Sequence, residues 1–168
     1  MDFDGVLTDG SLWWGPNGEE FKRLCFADIT GIPLARRAGL QLAIISGESS
    51  PGGMALVQRY ADKVKITDVY KGCHDKEGAV RDFARKHGIE LAEVCFIGDD
   101  VNDLPAMAIV GVSAAPANAQ PAVKAKAGFI TKLTGGSGAV REVIDAVLSQ
   151  PGRPSVLWQP PSNSPITS

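Results

Sequence analysis

Val94-Cys95-Phe96-Ile97-Gly98-Asp99-Asp100-Val101-Asn102-Asp103 is a short apolar run halted by a glycine and a cluster of acids. Such a run, too short for a helix and bounded by a breaker, reads as a strand buried on both faces whose far end carries polar groups. The pattern recurs along the chain. Leu40-Gln41-Leu42-Ala43-Ile44-Ile45 ends in Ser46-Gly47, Ile66 to Val69 is a further short strand, and Val110 to Ala114 is another, ahead of Gly128-Phe129-Ile130-Thr131. Helical stretches lie between them. Thr30 is placed to cap a helix over 31–38, with Pro33 in its first turn and Gly39 as its stop. Further helices are expected at about 54–62, from the segment after Tyr70 to His87, at 104–108, 121–127 and 139–148. Strands alternating with helices argue for an α/β, Rossmann-like, doubly wound parallel sheet with right-handed crossovers. No insertion large enough to be a cap domain separates the elements. Pro16-Asn17-Gly18 marks a turn between two strand-like runs, a β-hairpin projecting its adjacent Trp13 and Trp14. Those rings either pack as local apolar surface or cover a subunit interface.

The totals narrow the function. With 168 residues, 44% hydrophobic and 21% charged, the chain suits one buried domain over 1–148, and the Pro- and Ser-rich 149–168 reads as a disordered tail. A net charge of -2 and the lack of a basic run give no footprint for nucleic acid. Cys25, Cys73 and Cys95 are odd in number and show no CxxC spacing, so a disulfide framework or a zinc site is not expected. No eighteen-residue apolar stretch and no signal-peptide pattern occur, which leads to the expectation of a cytoplasmic protein without a membrane partner.

In open parallel sheets ligands bind beyond the carboxyl ends of the strands. Here those ends carry Ser46-Gly47 and Asp99 with Asp103, and the N-terminus opens with Asp2-Phe3-Asp4-Gly5, whose two acids would share a face if extended. Lys76, at the start of a crossover helix, reaches the same rim. Each feature alone has an ordinary reading as a turn, a cap or a solvated side chain. Together they suit phosphoryl transfer. A carboxylate (Asp2) attacks phosphorus, a second carboxyl (Asp4) handles the leaving-group and water protons, an oxygen-rich set including Asp99 suits Mg²⁺, and Ser46, backbone N–H groups and Lys76 hold the phosphate.

These residues resemble the four motifs of the haloacid-dehalogenase superfamily. More narrowly, Gly5-Val6-Leu7-Thr8-Asp9-Gly10, the hairpin, Asp75-Lys76, Ile97 to Asp103 and Gly135-Gly136-Ser137-Gly138-Ala139-Val140-Arg141-Glu142 resemble the 3-deoxy-D-manno-octulosonate 8-phosphate phosphatases and the related nonulosonate 9-phosphate phosphatases. The resemblance implies a capless domain and a homotetramer with hairpins packed at its centre. It implies Asp2 as nucleophile, Asp4 as general acid/base, and Mg²⁺ held by Asp2, Asp99 and the backbone carbonyl of Asp4. Ser46, Gly47 and Lys76 would bind phosphate, with Asp103 supporting the metal or orienting Lys76. Glu48 and Asp28 would lie on the substrate side. The substrate class so implied is a phosphorylated sugar acid. The alternative is a catalytically silent assembly domain like that attached to some sialic-acid activating enzymes.

Only Met1 precedes Asp2. A truncated or mis-assigned start is the preferred reading of this and a damaged, inactive copy the alternative, with the expectation that core is exposed there and that Asp2 is poorly anchored.

Overall fold

The computed structural model describes residues 1–150. The expected tail over 149–168 lies outside them except for its first two residues. A β-hairpin of β1 (Trp13–Trp14) and β2 (Glu20–Phe21) precedes α1 (Phe26–Arg37), β3 (Ala43–Ile45), α2 (Pro51–Val64), β4 (Asp68–Tyr70) and α3 (Lys76–His87). Then follow β5 (Cys95–Ile97), α4 (Leu104–Ile109), β6 (Val112–Ala115), α5 (Pro121–Lys124), β7 (Phe129–Ile130) and α6 (Ala139–Leu148).

β3 pairs in parallel with β4, and β5, β6 and β7 pair in parallel in that order. The two half-sheets are joined by Met1 and Asp2. The Met1 carbonyl accepts from Ile45 N–H at 2.9 Å, and Asp2 N–H donates to the Ile97 carbonyl at 2.9 Å. The spatial order is therefore β4-β3-seam-β5-β6-β7, and the winding reverses at the seam.

Helices cover both faces. Ile32 and Ala35 of α1, Val57, Tyr60 and Ala61 of α2 and Val140, Val143 and Ile144 of α6 form one core with Phe3, Leu7 and Ile44. Ala79, Val80 and Ala84 of α3, Ala106 and Met107 of α4 and Val123 of α5 form the other, with Phe96. The spacing of three and four residues on α2 and α6 puts each buried set on one stripe, which is why these segments settle as helices against the sheet.

Several sequence-based boundaries are corrected. Helix α1 begins at Phe26, so Thr30 lies inside it and its hydroxyl donates to the Phe26 carbonyl at 2.9 Å, while Pro33 sits mid-helix. Helix α2 starts earlier, where the Ser50 side chain accepts from Gly53 N–H at 3.0 Å with Pro51 at the first helical position. Strand β4 starts two residues later than expected and ends one later, and α3 starts only at Lys76, capped by Asp75. The opening acids do not lie on an extended strand. After Asp2 the chain curls, with Leu7 and Thr8 N–H both donating to the Phe3 carbonyl at 3.0 Å.

The seam is one residue deep on each side. Behind it, between β3 and β5, lies an apolar cavity of about 130 Å³ walled by Met1, Ala43, Ile45, Phe83, Ile97 and Val143 among others. The Met1 ammonium is buried against it and donates to the Ala43 carbonyl at 3.1 Å; burial lowers its pKa to about 6.

Candidate active site

The reversal of winding places the carboxyl ends of β3 and β5 on either side of Asp2. There a cleft of about 380 Å³ opens, lined by Asp2, Asp4, Gly5, Gly10, Gly47, Glu48, Lys76, Asp99, Asp100 and Asn102.

Asp2 is only 6% exposed. The expectation of a poorly anchored acid is corrected, because its N–H is fixed to β5 and its Oδ1 accepts from Lys76 Nζ at 2.8 Å. Lys76 Nζ also donates to Asp103 Oδ1 at 2.6 Å. Burial disfavours the Lys76 ammonium, but the charges of Asp2 and Asp103 outweigh it and raise its pKa. Asp103 has no exposed surface, and its other oxygen accepts from Asp99 N–H at 2.9 Å and Asp100 N–H at 3.2 Å. Asp103 thus orients Lys76 with one oxygen and shapes the acidic loop with the other.

Carboxylate oxygens of Asp2, Asp99 and Asp103 come within 4.8 Å of one another. Burial first, and then the Asp103 charge, push Asp2 up to about 6. Burial first, and then the charges of Asp2 and Asp103, push Asp99 up to about 8. A close set of hard oxygen donors that repel one another fits a divalent cation, whose charge would relieve the crowding. Asp103 already spends both oxygens on protein donors, so the free donors are those of Asp2 and Asp99. Gly5 permits their approach. It has φ +83°, and a Cβ there would sit 2.1 Å from Asp99 Oδ2. Gly135 packs against the same turn, since a Cβ on it would stand 1.9 Å from the Gly5 carbonyl oxygen.

The Asp4 side chain is 37% exposed and takes a hydrogen bond at 2.7 Å from Lys22 Nζ. Lys22 was not singled out in the sequence. It follows β2, and its ammonium also donates to Glu48 Oε2 at 3.1 Å. The signal that locates it is the hairpin itself. Its return leg pairs at Leu24 with Thr8, just beyond the opening acids, and so must pass the cleft. Glu48 is among the residues lining the cleft. Burial opposes its charge, but hydrogen bonds from Ser50 and Lys22 outweigh that and lower its pKa.

The other two expected site residues, Ser46 and Asp28, are both buried. Ser46 is fully buried at the end of β3, its Oγ accepting from Glu48 N–H at 3.1 Å, directly before Gly47 and Glu48 of the cleft lining. Asp28 is absent from the cleft. It has no exposed surface, and its Oδ1 accepts at 2.8 Å from Arg141 N–H in the first turn of α6. A carboxylate there satisfies one of the free donors and complements the positive end of the helix dipole. Its work is to join α1 to α6.

Comparison with known proteins gives a consistent result. A family model described as haloacid dehalogenase-like hydrolase matches residues 54–144. The 3-deoxy-D-manno-octulosonate 8-phosphate phosphatase of Escherichia coli K12 is 39% identical over 153 residues, covering 91% of this chain and 79% of that one. The crystal structure of the Moraxella catarrhalis enzyme of that name, in complex with magnesium ion, phosphate ion and KDO, superposes with a TM-score of 0.83. It is 38% identical, with 88% of this chain and 83% of that one covered. A cobalt-bound form of the Haemophilus influenzae counterpart superposes with a TM-score of 0.81 at 37% identity, covering 88% and 84%.

Proposed function

Because the chain belongs to the haloacid dehalogenase-like hydrolases, within the group of the 3-deoxy-D-manno-octulosonate 8-phosphate phosphatases, we propose that it is a Mg²⁺-dependent phosphatase of a phosphorylated ulosonate-type sugar acid. The observation that carries this is the buried Asp2–Lys76–Asp103 arrangement facing Asp99 at the point where the sheet winding reverses.

In this reading Asp2 and Asp99, with the backbone carbonyl of Asp4, hold Mg²⁺, which supplies positive charge that offsets repulsion between carboxylate and phosphate. Asp2 donates an electron pair to phosphorus, and the bond from phosphorus to the sugar oxygen breaks. Asp4, not bound to the metal through its side chain, delivers the proton that the leaving oxygen needs. Water then attacks the aspartyl-phosphate, giving its proton back to Asp4 and freeing Asp2 and inorganic phosphate. Lys76 stands as the fixed cation for the phosphate oxygens. Ser46 backs the Gly47–Glu48 segment and retains a hydroxyl proton to donate.

The eight-carbon octulosonate 8-phosphate is the first substrate to test, since the similar proteins named above carry that activity in their names. Glu48 on the cleft wall supports a second reading, a nonulosonate 9-phosphate, because an acid there accepts hydroxyls and repels a further anionic group. Exposed Trp13, Trp14, Phe21 and Phe26 support assembly through the hairpin into the expected homotetramer. No helix among the described residues is long and apolar enough to cross a membrane. Three unpaired cysteines support a reducing compartment, the cytoplasm.

Assay of Asp2→Asn against both sugar-acid phosphates with Mg²⁺ tests the reading. The parent should turn over one of them and the variant neither, with unchanged circular dichroism. Substantial turnover by Asp2→Asn sinks the assignment of Asp2, while a parent inert towards all phosphomonoesters favours a silent assembly domain.

A further inference from the structure

Lys22 is a second cation bonded to acids of the cleft, Asp4 and Glu48, and it comes from outside the sheet. Asp4 is the acid on which proton transfer depends in the reading above. Unlike Asp2, it is held by no strand and lies on the turn after the seam. Among the described residues Lys22 is the group that hydrogen-bonds its carboxylate. Without that contact a side chain 37% open to solvent is free to rotate away from the leaving oxygen. The Lys22 side chain is itself only 6% exposed. Its ammonium lies 5.9 Å from the centroid of the Phe3 ring and clamps Glu48 as well. The next residue, Arg23, has a side chain 58% exposed and pairs loosely with Asp9 at 3.7 Å, as an ordinary hairpin cation does. A lysine so enclosed loses rotamer freedom and hydration, and the two carboxylates are what offset those losses.

We propose that Lys22 is a positioning residue that holds Asp4 in line for proton transfer, tying the hairpin to the chemistry of the cleft. Of the ammonium's three donors, one goes to Asp4 and one to Glu48, so the same side chain fixes two acids of the cleft wall. The proposal rests on the phosphatase reading. Its consequence is selective for the leaving group. An aryl phosphate expels a stable phenolate with little help, whereas an alkyl phosphate, including a sugar phosphate, needs the proton that Asp4 carries.

The test compares the parent, Lys22→Met, Lys22→Arg and the control Arg23→Met, measuring kcat/KM with Mg²⁺ for p-nitrophenyl phosphate and for an alkyl phosphate. Since kcat/KM reports steps only up to the first irreversible one, it isolates phosphoryl transfer to Asp2. General acid catalysis contributes about 10²- to 10⁴-fold. Lys22→Met should therefore lower the alkyl value at least about tenfold more than the aryl value, with Lys22→Arg recovering most of the difference and Arg23→Met unchanged. An equal fall for both substrates, or a Lys22→Arg no better than Lys22→Met, overturns the proposal. Should the parent lack turnover, the phosphatase reading fails, and the contact is judged by a thermal double-mutant cycle of Lys22→Met with Asp4→Asn. A coupling beyond about 2 °C then supports the pairing and additivity overturns it.

Discussion

Lys76→Met removes the cation shared by two buried acids and should destabilise the protein in a way that Mg²⁺ partly reverses. Lys76, Asp2 and Asp103 have side chains 2%, 8% and 0% exposed, and the contacts are 2.8 and 2.6 Å. Breaking a buried pair by deleting one partner costs about 3–5 kcal/mol, because a charge is left without compensation. Here two charges are left. Against a total stability of about 5–15 kcal/mol for a domain, and about 2–4 °C per kcal/mol at this chain length, the melting temperature in EDTA should drop by about 6–20 °C. A divalent cation at Asp2 and Asp99 supplies positive charge to the same cluster. At a hundred times its dissociation constant a ligand adds about 2.7 kcal/mol, and the variant, lacking its internal cation, should gain more from Mg²⁺ than the parent does. Differential scanning calorimetry of both proteins, with EDTA and with saturating Mg²⁺, reads all four values. A drop below about 2 °C in EDTA, or equal gains from Mg²⁺, would refute the argument that Lys76 neutralises the buried acids.

Two further outcomes follow from the titrating groups. Asp99 is pushed up to about 8 and Asp2 to about 6, so between these values the metal-free site holds a proton that Mg²⁺ must displace. Affinity should tighten about tenfold per pH unit from 6 to 8 and level off above, as measured by calorimetry in buffers of different ionisation enthalpy, where a pH-independent affinity would be the contrary result. Joining an extended apolar tetrapeptide in front of Met1 should raise the melting temperature by filling the cavity between β3 and β5 and converting the buried amine to an amide. The folded amine has its pKa lowered from 8.0 to about 6, so its penalty is absent above pH 8 and complete below pH 6. At pH 7 it is on the order of 1.4 kcal/mol. The gain should therefore grow as pH falls from 8 to 6, and a melting temperature that the extension leaves unchanged would count against a strand-shaped cavity.

The fold was legible because the sheet is short-stranded and sealed on both faces. Ala43–Ile45 and Cys95–Ile97 are apolar without alternation, and each is stopped by a glycine or by a small residue followed by one, so strand ends and the site's rim announce themselves together. Helix α6 was read with its observed bounds, since its apolar stripe is strong and Gly138 precedes it. Helix α1 was misread because its N-cap, Cys25, makes no side-chain cap, while Thr30 and Pro33 imitate a start inside the helix. Asp2 and Asp4 at the chain's opening, Lys76 at the start of a crossover helix, and Asp99 and Asp103 past a strand end stand out in the sequence, and the fold brings them together. Asp28 shows the limit of such a reading, since an acid can be recruited to a helix end 113 residues away. Lys22 was missed because its role depends on where a hairpin folds back, which spacing does not reveal.

The seam at Met1 and Asp2 also bears on the order in which the molecule assembles and opens. Strands β3 and β4 find each other across one helix, and so do β5 and β6, whereas the seam must bring the first two residues to Ile45 and Ile97. Loop closures of that span come late, after the half-sheets have formed. In native-state hydrogen exchange, the amides of Asp2 and Ile45 should accordingly exchange as one unit of lower protection than the amides within either half. Every such opening carries the proposed nucleophile away from Lys76 while leaving both half-sheets paired. The proposed catalytic arrangement would then be the first part of the sheet to open, and a metal or substrate that bridges Asp2 to Asp99 would close the seam as it binds.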